Sequence, residues 1–300
     1  MATGIVVRSI APYIVSKFSD PAILVLDEKG KNVISLLSGH IGGANNLTHY
    51  ISNLIDANPV ITTATDVNQK ASLDMIAKNL NAHIDNFREN VKEVNSMLVN
   101  NKGVGLYVDE GYQVDTRGFK FIENIDELKE SFLDKYIEKV VIISHKINCI
   151  RDVENLNTDN EFENGYINEK IIRVIPKDIV IGIGCRRNTD SELMYNSLVE
   201  FLNKQNIDIR AINMIGSIEL KKDEKAIIDL SKVLQIQFKT FSIDEISKVD
   251  NLFDKSDFVK KNVGVYSVAE PVAYLLSKGN LIVEKHKYKG ITFSVGRIKI

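Results

Sequence analysis

The 300-residue chain contains no tryptophan, only two cysteines and only five prolines. Cys149 and Cys185 stand apart, without the paired spacings of a disulfide framework or a zinc site. Neither charge sign dominates: 38 Lys and Arg face 40 Asp and Glu. The broad basic face of a general nucleic-acid binder is therefore missing. No apolar run approaches the roughly 20 residues that span a bilayer, and no charged-then-apolar leader opens the sequence. Phosphate-binding fingerprints are absent as well, with neither G-x-G-x-x-G nor Gly-Lys-Ser/Thr present. Together with 44% hydrophobic and 26% charged residues, these absences imply a cytoplasmic, reduced, globular protein of two or three domains. Neither nucleic acid nor membrane is expected as a partner.

What is present alternates between strand-like and helix-like patterns. Ile23–Leu26 and Val33–Leu37 flank the turn-forming Asp27–Asn32 and predict a hairpin. A small-residue loop, Ser38-Gly39-His40-Ile41-Gly42-Gly43-Ala44-Asn45, then leads into Leu47, Tyr50, Ile51, Leu54 and Ile55 at helical spacing. Pro59 is expected to stop that helix, and Val60–Thr63 to form a strand ending at Asp66. Leu73, Ile76, Ala77 and Leu80 mark one further helical stripe; Phe87, Val91, Val94 and Leu98 mark another. Gly103–Val108, Phe119–Ile122 and Val140–Ser144 read as strands around a helix carrying Ile125, Leu128 and Phe132. The polar stretch from Arg151 to Lys170 reads as a linker.

In the last third, Ile171–Ile175, Asp178–Ile183, Ala211–Ile215 and Val263–Val265 read as strands. Met194, Leu198, Phe201 and Leu202 form one buried helical stripe, and Ile227, Leu230 and Leu234 another. Thr189–Glu192 and Ser267–Glu270 match capping boxes. Leu281–Glu284 and Ile291–Arg297 predict a closing hairpin around a solvated Lys285-His286-Lys287 turn. The fold class is α/β: two three-layer α/β domains with mostly parallel sheets and a small α/β middle segment. The expected boundaries are residues 1–85, 86–170 and 171–300.

His40 is the first candidate for chemistry. It sits in a glycine-rich strand-to-helix turn, the kind of loop that lines ligand crevices, and its ordinary pKa near 6.5 suits a general base. Arg186 and Arg187 precede a capped helix after Gly184. Two guanidinium groups and a helix N-terminus favour one ligand sign, a carboxylate or phosphate. Cys185 lies in the same positive field, expected to lower its pKa; with no partner base identifiable it reads first as a small packed thiol, and as a nucleophile in the alternative. Glu270 reads first as part of its capping box. His49, His83 and His145 lack metal-ligand spacing, and no metal site is expected.

Several blocks in fixed order carry a family resemblance: SLLSGHIGGANNLTHYI, PVITTATD, VIGIGCRRNT, SIELKKDE and SVAEPVAYLLS. The chain resembles the cobalt-precorrin-5A hydrolases of anaerobic cobalamin biosynthesis over nearly its whole length. That resemblance implies an enzyme in which water opens a ring-acetate δ-lactone on a cobalt-loaded tetrapyrrole. A two-carbon fragment leaves as acetaldehyde, giving cobalt-precorrin-5B. It implies His40 and Cys185 as catalytic candidates. The implied substrate-binding residues are Arg8, Gly39, Gly42, Gly43, Asn45, Thr63, Gly184, Arg186, Arg187 and Glu270. Backbone amides at Gly42-Gly43 or Gly184-Cys185 are the expected oxyanion donors. No cofactor is expected, since cobalt arrives with the substrate. A homodimer and transient contact with other enzymes of the pathway are compatible partners. A non-catalytic corrinoid-binding or scaffold protein is the alternative. Relatives of this kind carry some tens of residues ahead of the segment matching MATGIVVR, so an N-terminal element is expected to be missing.

Overall fold

The computed structural model describes residues 1–17, 19–131, 134–149 and 169–300. Of the expected linker over 151–170, residues 151–168 lie outside the described residues, as does Phe132. The chain divides into two compact units. Described residues of the first are 1–79, 84–142 and 169–172; those of the second are 80–83, 143–149 and 173–300. The first unit opens with α1 (Thr3–Ile10). The expected hairpin follows as β1 (Ile23–Leu26) and β2 (Asn32–Leu37), antiparallel with Leu26 opposite Val33. Then come α2 (Ala44–Ile55), β3 (Asn58–Val60), α3 (Ala64–Val67) and α4 (Leu73–Asn79). β3 runs parallel to β2, with Ile34 opposite Val60.

Two expectations change here. Pro59 lies inside β3 rather than ahead of a strand, tolerated because β3 is an edge strand. The segment expected to continue it turns instead into α3, with Thr63 in extended backbone just before the helix. The faces of α2 are also reversed. Its inward residues are Ala44, Asn45, Thr48 and Ser52, while Leu47, Tyr50, Leu54 and Ile55 are exposed. Hydrogen bonds fix this rotation. The Ala44 and Asn45 amides donate to the Ser38 and Gly39 carbonyls, and the Asn45 side chain ties to Ser35 and Thr63. Periodicity locates a stripe; it does not say what the stripe faces.

β4 (Ala82–His83) belongs to the second unit. The first resumes with α5 (Phe87–Val99), β5 (Val104–Val108), β6 (Lys120–Ile122), α6 (Ile125–Ser131) and β7 (Lys139–Ile143). β5 lies between β7 and β6 and is parallel to β6. The stripe on α5 is as expected: Val91, Val94 and Leu98 are buried, joined by Met97.

The second unit contains β8 (Ile171–Pro176) from Arg173 onward, whose end pairs antiparallel with β4. Its main body runs β9 (Ile179–Cys185), α7 (Ser191–Lys204), β10 (Ile212–Ile218), α8 (Lys225–Leu234), β11 (Gln237–Phe241), α9 (Ile243–Ser247), α10 (Asp257–Val263), α11 (Ala269–Leu276), β12 (Leu281–Tyr288) and β13 (Ile291–Arg297). The strand order is β11-β10-β9-β13-β12. The first three are parallel, and the β12-β13 hairpin adds two antiparallel strands beside β9.

Strand periodicity explains the layering. Ile179, Ile181 and Ile183 join one core with Met194, Leu198, Phe201, Ile227 and Phe293. Val180 faces the other way, into a core with Ile218, Val272 and Leu276. Helices therefore cover both faces of the sheet. Gly182 lets α11 approach: a Cβ there would lie 1.9 Å from the Ala269 carbonyl oxygen. The expected strand at Val263–Val265 is instead the end of α10, closed by Gly264 at φ +90°. The expected capping boxes also differ. Asp190, not Thr189, caps α7 by accepting from the Leu193 amide, and Ser267 makes no cap for α11. A full box occurs at Ser242 and Glu245 on α9.

Candidate functional site

In the first unit, β2 and β3 are parallel neighbours, so the turns that leave them lie side by side. The turn after β2 carries His40, and α3 carries Thr65 and Asp66. The His40 ring lies between two carboxylates: Nδ1 is 3.1 Å from Asp74 Oδ2, and Nε2 is 3.0 Å from Asp66 Oδ2. Asp74 is buried and fully engaged, since its Oδ1 also accepts from Ser72 (2.5 Å) and Asn95 (2.8 Å). Asp66 Oδ2 accepts from Asn45 Nδ2 at 2.7 Å, and its side chain is 42% exposed. Two cavities flank the ring. One of about 490 Å³ is lined by Lys17, Ser38, His40, Thr63, Asp74 and Asn95. The other, about 200 Å³, is lined by His40, Asn45, Asp66, Lys70, Ser72 and Arg117.

Electrostatics here departs from the sequence reading. The hydrogen bond to Asp74 raises the pKa of His40; burial opposes this, and the charges of Asp74 and Asp66 reinforce it. For Asp74, burial works against ionisation, but hydrogen bonds from His40, Ser72 and Asn95 overcome it and hold the carboxyl well below its ordinary range. Thr65 Oγ1 also lies 3.2 Å from Nε2 and Ser72 Oγ 3.2 Å from Nδ1, so both ring nitrogens are already engaged. The two carboxylates favour the protonated, charged form of the His40 ring. No group of three His, Cys, Asp or Glu side chains among the described residues is arranged to hold a metal ion.

Other expected residues of this unit fall around the ring. Asn45 is buried and bridges Ser35, Thr63 and Asp66. Gly39 and Gly42 are packed tightly: a Cβ on Gly42 would meet Ser38 Cβ at 2.3 Å. Gly43 takes φ +84° to start α2. Its amide donates to the His40 carbonyl, so it is spent inside the turn rather than offered to an oxyanion. Arg8 is exposed on α1 and lines neither cavity.

In the second unit, β9, β10 and β13 bring Gly184–Arg187, Ser217–Lys221 and Gly290–Thr292 to one sheet end, because Cys185 pairs with Ile291. They line a cavity of about 770 Å³, closed further by Phe258, Tyr266 and Lys285. Its cations differ in availability. Arg187 is held by Asp223 (2.7 Å) and the Leu220 carbonyl, and Lys221 by Glu224 (3.1 Å). Arg186 and Lys287 are exposed and make no ion pair with a described residue. Glu270 is buried and grips Lys285 at 3.1 Å, rather than lining the cavity or completing a cap. Lys285, His286 and Lys287 lie within β12; the turn is at Lys289-Gly290. The Cys185 thiol is pushed up in pKa, chiefly by burial and against the nearby Lys221, not down as its cationic surroundings suggested. Phe258, 80% exposed, and Tyr266 add apolar surface to this charged rim.

The sequence reading missed Asp66, Asp74, Ser72 and Asn95, together with Phe258 and Tyr266. A usable signal existed for Asp66: it ends the block after a strand parallel to the one feeding His40. Asp74 and Asn95 come together only through the packing of α4 on α5.

Fold and sites define an α/β protein with an acid–base cluster in one unit and a cation-rimmed, partly aromatic cavity in the other. Its sequence matches three families, described as Cobalamin synthesis G N-terminal (residues 1–66), Cobalamin biosynthesis central region (71–157) and Cobalamin synthesis G C-terminus (179–296). It is 41% identical over 98% of its length to the cobalt-precorrin-5A hydrolase of Salmonella typhimurium, spanning 80% of that protein. It is 30% identical over 99% to the enzyme of that name from Priestia megaterium, spanning 77% of it. A cobalamin biosynthesis protein G homolog from Sulfolobus solfataricus of known structure is 24% identical, with a TM-score of 0.36 over 99% of this chain and 80% of that one. The chain belongs to the cobalamin biosynthesis protein G family, the cobalt-precorrin-5A hydrolases.

Proposed function

We propose that this chain is a cobalt-precorrin-5A hydrolase. Water opens the ring-acetate δ-lactone of the cobalt-loaded macrocycle, acetaldehyde is expelled, and cobalt-precorrin-5B is formed. The observation that carries this reading is the 41% identity over 98% of the chain to the Salmonella hydrolase. The geometry supports it in two ways. A tetrapyrrole at this stage bears many acetate and propionate groups, and the 770 Å³ cavity offers Arg186 and Lys287 to carboxylates and the exposed Phe258 to a flat apolar ring. The His40 cluster offers carboxylate and imidazole groups beside a cavity, the equipment that water activation needs. Lactone opening and loss of acetaldehyde are balanced by water and proton transfer, so the reaction requires no redox or group-transfer cofactor. Cobalt belongs to the substrate.

No helix among the described residues is long and apolar enough to cross a membrane. A cytoplasmic location is part of the same reading, since the family acts on intermediates of a biosynthetic sequence. The test is anaerobic incubation of the purified chain with cobalt-precorrin-5A, trapping acetaldehyde and following the pigment spectrum. Stoichiometric acetaldehyde with loss of the lactone is expected. Tight pigment binding with no acetaldehyde would instead support the non-catalytic carrier.

A further inference from the structure

We propose that Asp66 takes the proton from the attacking water, and that His40 is the positioning residue that aims Asp66. This inference rests on the hydrolase reading above and assigns the roles within it. The two carboxylates on His40 are not equivalent. Asp74 is buried, and both its oxygens are occupied by His40, Ser72 and Asn95. It anchors one edge of the ring. Asp66 faces the 200 Å³ cavity, and its side chain is 42% exposed. Its Oδ2 accepts from both His40 Nε2 and Asn45 Nδ2, while its Oδ1 accepts from no described residue.

That asymmetry assigns the chemistry. A proton acceptor needs an open lone pair, and both His40 ring nitrogens are already occupied, Nδ1 by Asp74 and Ser72 Oγ and Nε2 by Asp66 and Thr65 Oγ1. Asp66 Oδ1 is the remaining open acceptor of the trio. Its other oxygen is held by two donors that enter from the turn after β2 and from α2, so the carboxylate cannot swing freely. Asp74, through His40, thus orients Asp66 across the ring. A cavity of about 200 Å³ has room for a lactone ring and one water but not for a whole macrocycle. On its wall Lys70 donates to Asn101 Oδ1 (2.7 Å) and Arg117 pairs with Asp115 (2.6 Å), so their positive charge faces the cavity already partnered.

The step balances without a co-reactant. Water forms a bond to the lactone acyl carbon and gives a proton to Asp66 Oδ1. The tetrahedral intermediate collapses by breaking the acyl–oxygen bond of the ring. The departing alkoxide oxygen takes the proton back from Asp66, leaving a carboxylic acid, a hydroxyl and the original enzyme carboxylate.

The experiment compares Asp66→Asn, Asp66→Ala and Asp66→Glu for lactone opening and for binding of uroporphyrin III, a tetrapyrrole octacarboxylate. Asp66→Asn is expected to slow opening about 10²–10⁴-fold with binding changed less than about threefold. Asp66→Ala should recover part of its turnover when formate is added, which a purely structural residue would not show. Asp66→Glu should retain more activity than Asp66→Asn. Independently of any variant, ¹⁵N NMR of His40 at pH 7 should show both ring nitrogens protonated. Asp66→Asn turnover within threefold of wild type overturns the assignment, as does a neutral His40 ring. So does an Asp66→Ala variant that melts like wild type and binds the porphyrin yet gains nothing from formate. Wild-type protein that releases no acetaldehyde defeats the hydrolase reading itself and this assignment with it, a result distinct from all of these.

Discussion

Coupling between His40 and Asp74 should be measurable and should depend on pH in one direction. The perturbation is a double-mutant cycle of His40→Ala, Asp74→Asn and both together. With His40 charged, the pair is an ionised hydrogen bond at 3.1 Å between a ring 15% exposed and a carboxylate 8% exposed. Such bonds contribute about 1.5–3 kcal/mol, against about 0.5–1.5 kcal/mol for a neutral one. The folded pKa of His40 lies above its ordinary 6.5. Its charge-dependent contribution is therefore complete below 6.5 and is lost as pH rises through the raised value. Asp74, held low, stays ionised throughout that window. The coupling should thus be about 1.5–3 kcal/mol at pH 5.5 and fall toward about 0.5–1.5 kcal/mol as pH rises through the raised value. Amide hydrogen exchange of peptides over 64–79 reads this opening without assuming that both units unfold together. A coupling that is absent at pH 5.5, or that grows toward pH 9, would refute the charged-ring reasoning.

Three further outcomes are expected. Cys185→Ser should keep turnover within about twofold, since a thiol raised in pKa by burial is a poor nucleophile; a loss of 10²-fold or more in a steady-state assay would restore its nucleophilic role. Removing Arg186 and Lys287 together should weaken uroporphyrin III binding about 2- to 30-fold, each exposed cation contributing about 0.2–1 kcal/mol. The wild-type affinity should also fall with added salt, and a titration insensitive to both changes would place the anion elsewhere. Gly182→Ala should cost about 3 kcal/mol or more, because its new methyl meets backbone atoms of α11 that cannot swing aside. Thermal melting should show it, and an unchanged melting temperature would mean that α11 sits farther from β9.

The parts legible in the sequence are those where one local pattern decides the outcome. β9 alternates between two cores, α7 carries its expected stripe, and the first hairpin is bracketed by turn residues, whereas the second turns at Lys289-Gly290 and not at the expected Lys285–Lys287. The misread parts are decided by distant contacts. α2 has a well-formed apolar stripe, yet Asn45 and the amides entering the helix rotate its small polar side inward. Val263–Val265 has strand-like residues, but Gly264 in left-handed backbone ends a helix there. The site shows the same division. His40, Arg186 and Arg187 announce themselves through glycine-rich turns. Their working states do not, because the ring's charge depends on Asp74 from α4, and Arg187's occupation on Asp223 beyond β10. Cys185 shows two opposed influences whose balance only depth could settle: nearby cations against burial.

β13 runs against β9, so the bend joining it to β12 is carried to the same sheet end as the arginines. Adding or removing a residue pair in that bend preserves which side chains point inward, because strand side chains repeat every two residues. The rim of this cavity is therefore an adjustable lip, whose length and lysines can change while the isoleucine layers beneath stay as they are.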